Sequence, residues 1–341
     1  MSAGDQVEDQ AGVTVVWRDL WTQTADVVAD RAQARWLCEV ASASLDGDDF
    51  LARLDEPATV RMVAHLDSMV ARYRTGEPLQ YVLGEWSFRH LTLTVDRRVL
   101  IPRPETELVA EVAIEIAAGC GPVRTVADLG TGSGAIGLSM AFELPHQGTE
   151  VWLTDASADA IDVARANLAG IGPAAANVRV AHGSWYEAFP DDISFDVIVS
   201  NPPYVAVGSP DLDAEVGEWE PAQALFSGDD GLDDIRILAN GASEWLRSGG
   251  SLVLEIGADQ AERSRTSSSE PDWSASRSAR ISAAVTASPL PAARERVTPG
   301  RFSRSGRRSG PRSSPRRVSA DCRRRRCRGR RRTERIATLC C

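Results

Sequence analysis

A glycine-rich turn, Asp128-Leu129-Gly130-Thr131-Gly132-Ser133-Gly134, sits between a short apolar run at 125–128 and a helical pattern. No other stretch limits the fold as much. Glycines at a strand-to-helix turn permit a tight reversal and a close approach of backbone to a ligand. The same alternation then repeats. Residues 151–154, 178–180, 195–199 and 251–256 read as further strands. A helix capped by Ser157 runs to Leu168, and another covers 232–246. Strands alternating with helices predict an α/β fold with a doubly wound parallel sheet.

Upstream the period is helical. Val13, Trp17, Leu20, Trp21 and Val27 fall mostly on one face, as do Trp36, Leu37 and Val40, and later Val60, Val63, Leu66 and Val70. Residues 12–85 are therefore expected to form a small helical domain with its tryptophans in the core. Over 86–104 the period shortens. Phe88, Leu91, Leu93 and Val95 alternate as strands do, Asp96-Arg97-Arg98 reads as a turn, and Pro102 and Pro104 stop regular structure. This β linker leads into the sheet domain, 105–260, which begins with a helix.

Charge separates this body from the remainder of the chain. Residues 1–260 hold 16 arginines, no lysine and 42 carboxylates, a net charge of −26. Such a body lacks the basic face that a phosphate backbone requires, so no nucleic-acid binding is expected of residues 1–260. The acidic segment from Met1 to Gln10 lacks the features of a signal peptide, and no run of about 18 apolar residues is present. No membrane span is expected. Only Cys38 and Cys120 lie in the body, and they read as core thiols of a cytoplasmic protein.

The glycine turn does not identify its ligand. Gly132-Ser133-Gly134-Ala135-Ile136-Gly137 satisfies the dinucleotide pattern G-x-G-x-x-G. Asp155, ending the second strand, can accept both hydroxyls of a ribose. Both NAD and S-adenosylmethionine carry one. A dehydrogenase and a methyltransferase fit equally at this point.

Ser200-Asn201-Pro202-Pro203-Tyr204 separates them. It follows the fourth strand, at the sheet end where such folds bind ligands. An Asn-Pro turn would explain two of these residues but not the second proline and the aromatic. The set suits a planar amide nitrogen, a poor nucleophile because its lone pair is delocalised into the carbonyl. Asn201 can accept one N–H through its side-chain oxygen and the Pro202 carbonyl another. Proline restricts the backbone carrying that carbonyl, and Tyr204 can lie flat on the amide. Orientation of this kind can contribute several kcal/mol, up to roughly 7–11 in ideal cases, and the two acceptors stabilise charge growing on nitrogen. The step needs neither a metal nor a covalent enzyme intermediate.

With these residues in view, the chain resembles the release factor glutamine N5-methyltransferases over residues 12–260. Asp128 to Gly134 is similar to their cofactor loop, Asp155 to their ribose-binding acid, and Asn201, Pro202, Pro203 and Tyr204 to their substrate motif. Leu100-Ile101-Pro102-Arg103-Pro104-Glu105-Thr106-Glu107 resembles a segment of the same family, as do Pro78-Leu79-Gln80-Tyr81, Gly84 to Phe88 and Glu220-Pro221 with Ala224-Leu225. The Asn201–Tyr204 tetrapeptide alone is shared with DNA adenine-N6 enzymes, and an adenine-N6 methyltransferase acting on DNA or RNA is the alternative. The linker segment beside a helical domain favours the protein-modifying branch. The resemblance implies a class I methyltransferase fold and S-adenosylmethionine as cofactor, held by Gly130, Thr131, Gly132, Ser133, Gly134, Asp155, Trp185 and Asn201. Trp185 would pack on the adenine. Ser184 departs from the family, which usually has an acid there. Peptide chain release factors are the implied partners, their Gly-Gly-Gln loop entering the catalytic domain and the helical domain helping to bind them.

After Gln260 the pattern ends. Residues 261–341 hold 22 arginines against six acids and are rich in Ser, Arg, Pro and Ala. A basic nucleic-acid-binding tail and a disordered linker are two readings. The third is a frameshift. GC-rich codons for 263–288, read one base earlier, can encode an amphipathic helix, a strand and a turn before another strand, similar to the normal ending of the family. A slip near 259–265 is therefore expected, leaving an unstructured tail whose arginines and cysteines form no site. The strand at 251–256 would then be an unprotected sheet edge.

Overall fold

A computed structural model describes residues 15–210, 214–257, 260, 280–285 and 337–339. Five helices open the chain: α1 (Trp17–Val28), α2 (Arg31–Ala41), α3 (Gly47–Ala52), α4 (Val60–Tyr73) and α5 (Leu79–Leu83). Side-chain oxygens cap three of them. Asp30 accepts from the amides of Ala32 and Gln33, Asp46 from that of Asp49, and Thr59 from that of Met62. Trp17, Leu37, Cys38, Phe50, Leu66 and Met69 form the buried centre, and Trp17 and Trp21 both meet Phe50 edge-on at 6.1 Å. Cys38 is buried within it. Val27 and Val60 are half-exposed, contrary to the periodicity. The inward stripe of α1 runs through Trp17, Leu20, Thr24 and Val28, and a 3.6-residue repeat carries it past Val27. Val60 opens α4 before its buried residues, Leu66 and Met69, begin. Val13 lies outside the described residues.

The linker is an antiparallel hairpin, β1 (Glu85–Phe88) and β2 (Leu91–Thr94), followed by an extended stretch. Val95, Val99 and Ile101 pack with Tyr81 against Ala160 and Val163 of the sheet domain. The Tyr81 hydroxyl donates to the Val99 carbonyl at 2.6 Å. One buried tyrosine thus ties the end of the helical unit to the segment that roofs the sheet.

The sheet domain begins with α6 (Thr106–Gly119). Its strands are β3 (Arg124–Leu129), β4 (Thr149–Asp155), β5 (Val178–His182), β6 (Phe195–Ser200), β7 (Leu246–Ile256), β8 (Arg280–Val285) and β9 (Ala337–Leu339), in the order β5-β4-β3-β6-β7-β8-β9. All pairings are parallel except β8 with β9. The helices α7 (Ala135–Glu143), α8 (Ala158–Gly170), α9 (Ala214–Trp219) and α10 (Asp233–Trp245) complete the unit. Val126, Val151, Val197, Val199 and Val253 pack against α6 and α7. Ala127, Leu129, Ile198, Leu252 and Leu254 face α10. The two-residue period of a strand therefore places Asp128 and Glu255 on the α6–α7 side. β3 pairs with β4 on one edge and β6 on the other, so the chain reverses its winding there, and a crevice opens beyond the carboxyl ends of these strands.

At the far edge the structure corrects the sequence reading. β7 is not unprotected: Ser251–Ile256 pairs with Arg280–Val285, which in turn pairs with Ala337–Leu339. Sheet pairing uses backbone N–H and C=O groups that any extended, proline-free segment supplies. Arg280–Val285 contains no proline and carries the β-branched Ile281 and Val285. A tail read as unstructured can therefore still close the edge.

Candidate active site

A cavity of about 280 Å³ occupies the crevice. The β3–α7 turn forms its floor, Asp155 and Trp185 one flank, Asn201 and Pro203 the other, while Leu100 and Pro102 of the linker cover it. Gly130, Thr131, Gly132, Ser133, Asp155, Trp185 and Asn201 all line it. Gly134 does not; it shapes the turn. Its φ is +87°, and a Cβ there would meet Leu138 Cδ1 at 2.7 Å. Gly137 is similarly confined, since a Cβ would lie 2.9 Å from Leu153 and 3.0 Å from Asp128. The third glycine of the G-x-G-x-x-G pattern thus brings helix and sheet together whatever the turn binds, which is why that pattern alone leaves the ligand open.

Two carboxylates organise the floor. Asp128 Oδ2 accepts from the Thr131 hydroxyl at 2.6 Å and the Gly137 amide at 2.8 Å, while Oδ1 is buried without a hydrogen-bond partner. Burial pushes the Asp128 carboxyl up to about 7, against the pull of those two donors. Asp155 accepts from the Gly132 amide at 2.9 Å and the Ser157 amide at 2.8 Å. Burial raises its pKa as well. It serves the helix start and faces the cavity at once, because each carboxylate oxygen has a second lone pair. Trp185 has a φ of +46°, a conformation uncommon for a non-glycine residue. Its ring lies close enough to Gly130 that a Cβ there would sit 3.2 Å away. Trp185 Nε1 donates to Asp234 Oδ1 at 3.2 Å. Ser184, where the resemblance leads one to expect an acid, also lines the cavity, as does Asp234 from the start of α10.

Asn201 stands where this cavity meets a narrow cleft shared with Arg103, Pro202, Tyr204 and Ala224. The segment is held from several directions. Ser200 Oγ donates to the Leu129 carbonyl at 2.7 Å, joining β6 to β3. Asn201 Nδ2 donates to Thr106 Oγ1 at 3.1 Å, so Oδ1, on the other branch of the amide, points away from Thr106. The Tyr204 hydroxyl donates to Glu255 Oε1 at 3.2 Å, and the Tyr204 carbonyl accepts from Gln260 Nε2 at 2.9 Å. Arg103 Nη2 reaches Glu220 Oε1 at 2.5 Å, and the Ile101 amide donates to Glu220 Oε2 at 3.2 Å. This clamps the linker over the site.

Periodicity and motif reading missed Asp128, Thr106, Glu255 and Gln260 as individual site residues. Glu255 carried a legible signal: a lone acid inside the apolar run Leu252-Val253-Leu254-Glu255-Ile256. A charge in a doubly covered strand needs a partner or a purpose. Thr106 and Gln260 carried none.

The cavity fits S-adenosylmethionine on three counts. It is lined by a carboxylate at the end of β4 suited to ribose hydroxyls and by an indole suited to a flat base. The orphaned Asp128 Oδ1 adds an acceptor for a cationic ligand.

Comparison with known proteins agrees. Residues 112–216 match the methyltransferase small domain, and residues 23–84 match the PrmC N-terminal domain. A release factor glutamine methyltransferase of Xylella fastidiosa is 44% identical over 212 residues, 62% of this chain and 75% of that protein. One from Gloeobacter violaceus is 39% identical over 236 residues, 68% of this chain and 79% of its own length. One from Bordetella pertussis is 40% identical over 249 residues, 72% and 89% respectively. The chain is an S-adenosylmethionine-dependent methyltransferase and belongs to the release factor glutamine methyltransferase family.

Proposed function

We propose that this chain methylates the side-chain amide nitrogen (N5) of the glutamine in the Gly-Gly-Gln motif of peptide chain release factors. The observation that carries this reading is the position of Asn201 between two spaces: the main cavity on one side and the cleft of Pro202 and Tyr204 on the other. A donor methyl and an acceptor amide can meet only at such a junction.

Bound S-adenosylmethionine supplies an electrophilic methyl group on a sulfonium. Gly130, Thr131, Gly132, Ser133, Asp155 and Trp185 would hold it, with the turn shaped by Gly134. The chain's own work is to present the amide. Asn201 Oδ1 and the Pro202 carbonyl accept its two N–H groups and so fix the amide plane, with the nitrogen lone pair, which stands perpendicular to that plane, directed at the methyl group. Pro203 and Tyr204 confine the amide plane. As positive charge grows on nitrogen, the two acceptors stabilise it without reorganising, and one of the two N–H protons is then released along its hydrogen bond and lost to solvent, leaving a neutral N-methyl amide. Leu100 and Pro102 of the linker cover the cavity above the junction.

The helical unit, residues 12–85, is read as the part that helps bind the release factor; the β linker, 86–104, joins it to the catalytic domain, 105–260. The match of residues 23–84 to the PrmC N-terminal domain supports that division. Among the described residues no helix is long and apolar enough to cross a membrane. A cytoplasmic site of action is the one this substrate requires. No nucleic-acid role is assigned to residues 1–260, given their net charge of −26.

Residues 261–341 are read as the product of a slipped frame. The change of composition supports this: 22 arginines against six acids in 261–341, after 16 arginines against 42 acids in 1–260. The pairing of Arg280–Val285 with β7 is compatible with it, since pairing depends on backbone. Resequencing the gene across codons 255–270 tests the slip; an intact frame would remove it.

The functional test is transfer of labelled methyl from S-adenosylmethionine to a bacterial release factor, with a factor whose loop glutamine is changed to glutamate as control. Labelling of the glutamine form alone is expected. Labelling of neither would remove this acceptor and make adenine in nucleic acid the next one to try.

A further inference from the structure

The register of the sheet brings an acid to the substrate motif that no motif contains. Ser200 of β6 is level with Leu254 of β7, so Asn201 and Glu255, each one residue further on, stand at the same height on the α6–α7 side. Thr106, at the start of α6, lies between them and is buried. Its oxygen accepts from Asn201 Nδ2. A hydroxyl has one proton to give, and with the oxygen engaged by Asn201 that proton is free to turn toward another acceptor. The Glu255 carboxyl offers one on the same side of the sheet: Tyr204 holds its Oε1, and its Oε2 is buried without a hydrogen-bond partner.

This matters because an asparagine amide is nearly symmetric in shape. Turned one way, Asn201 offers an acceptor to the substrate N–H; flipped, it offers a donor and repels it. Nothing in the Asn201–Tyr204 segment itself chooses. We propose that Glu255, acting through the Thr106 hydroxyl, is the positioning residue that sets the Asn201 amide with Oδ1 toward the acceptor nitrogen. An ionised Glu255 can only accept. It therefore draws the Thr106 proton, leaves the Thr106 oxygen as an acceptor, and fixes Asn201 Nδ2 upon it. A protonated Glu255 can donate to Thr106, and the chain of hydrogen bonds loses its direction.

The groups that face this carboxyl are Glu105 and Arg103 from the segment before α6, Thr106 itself and Tyr204 after β6. Ala284 is its neighbour on β8. Burial is the largest influence and pushes Glu255 up to about 7. The direction of the relay is accordingly expected to be lost below neutral pH.

The inference rests on the proposed role of Asn201, and its test is built to fail separately. Glu255→Gln, Thr106→Val and Thr106→Ser are compared with the unchanged chain for methyl transfer, for S-adenosylmethionine affinity by calorimetry, and for the side-chain amide resonance of Asn201 against pH. Thermal melts confirm folding. Thr106→Val and Glu255→Gln should lower kcat by about 100-fold, the lower end of the loss seen when one transition-state partner is removed, with cofactor affinity little changed. Thr106→Ser, which keeps the hydroxyl, should restore most of kcat. The acid limb of the kcat profile should vanish in Glu255→Gln. Equal kcat in Thr106→Val and the unchanged chain, or equal loss in the Val and Ser variants, would overturn the relay. The resonance decides even without a methylated product. In the unchanged chain it should shift with a midpoint near neutral pH and be flat in Glu255→Gln; a flat trace in both would sink the relay, whereas a shifting trace with an unlabelled release factor would retire only the substrate.

Discussion

Gln260 Nε2 donates to the Tyr204 carbonyl at 2.9 Å and to the Gly231 carbonyl at 3.1 Å, while its Oε1 accepts from the Gly257 amide at 2.9 Å. One buried amide thus fastens the end of the Asn201–Tyr204 segment to the loop before α10. Gln260→Ala strands two carbonyls and an amide. Leaving a buried polar group unpaired costs about 1–3 kcal/mol, and a urea titration should show a loss of that size together with a lower kcat.

The clamp over the site depends on a buried ion pair. Arg103 and Glu220 meet at 2.5 Å with side chains 18% and 2% exposed. Burial raises the Glu220 carboxyl despite Arg103. Removing one partner leaves an uncompensated buried charge, at a cost of about 3–5 kcal/mol, whereas removing both can be nearly neutral. Arg103→Ala should destabilise more than Arg103→Ala with Glu220→Gln, and a double-mutant cycle read by denaturation measures the difference.

Cofactor binding should be linked to protons through Asp128. Its carboxyl keeps its proton in the folded chain up to about 7, against an ordinary value of 3.8. Between those values the folded chain holds the extra proton, so this group's contribution to stability is full below the ordinary value and is lost as pH rises through about 7. A cationic ligand acts oppositely by favouring the ionised form. Affinity for S-adenosylmethionine should rise from pH 6 to pH 8, with proton release visible as a buffer-dependent binding enthalpy, and both effects should disappear in Asp128→Asn.

Gly134→Ala should weaken cofactor binding. The substitution places a side chain at φ +87°, which costs about 1–2 kcal/mol, and drives its Cβ to 2.7 Å from Leu138. The turn must move to relieve both. Calorimetry should find binding weakened at least about tenfold, with the melt lowered by only a few degrees.

How far the site was legible differs from residue to residue. The glycine turn, Asp155 and the Asn201–Tyr204 segment announce themselves because each is a local arrangement at the end of one strand, and local backbone chemistry is written in consecutive residues. Trp185 needed the resemblance, since an indole after a short strand is as often core as contact. The edge strand misled. The composition of 261–341 argues against regular structure, yet Arg280–Val285 meets the only demand a sheet edge makes, an extended backbone without proline.

From its sequence alone this chain declares the order of its main strands and helices, the unit that precedes them, and the motif that borders the cavity, because periodicity and turn chemistry act over a few neighbouring residues. Only the tertiary structure could set Thr106 against Asn201 across 95 positions, Glu255 against Tyr204 across 51, and Gln260 beneath Tyr204 across 56. Those meetings depend on which strands lie side by side and in what register, and register is decided by the packing of both sheet faces at once.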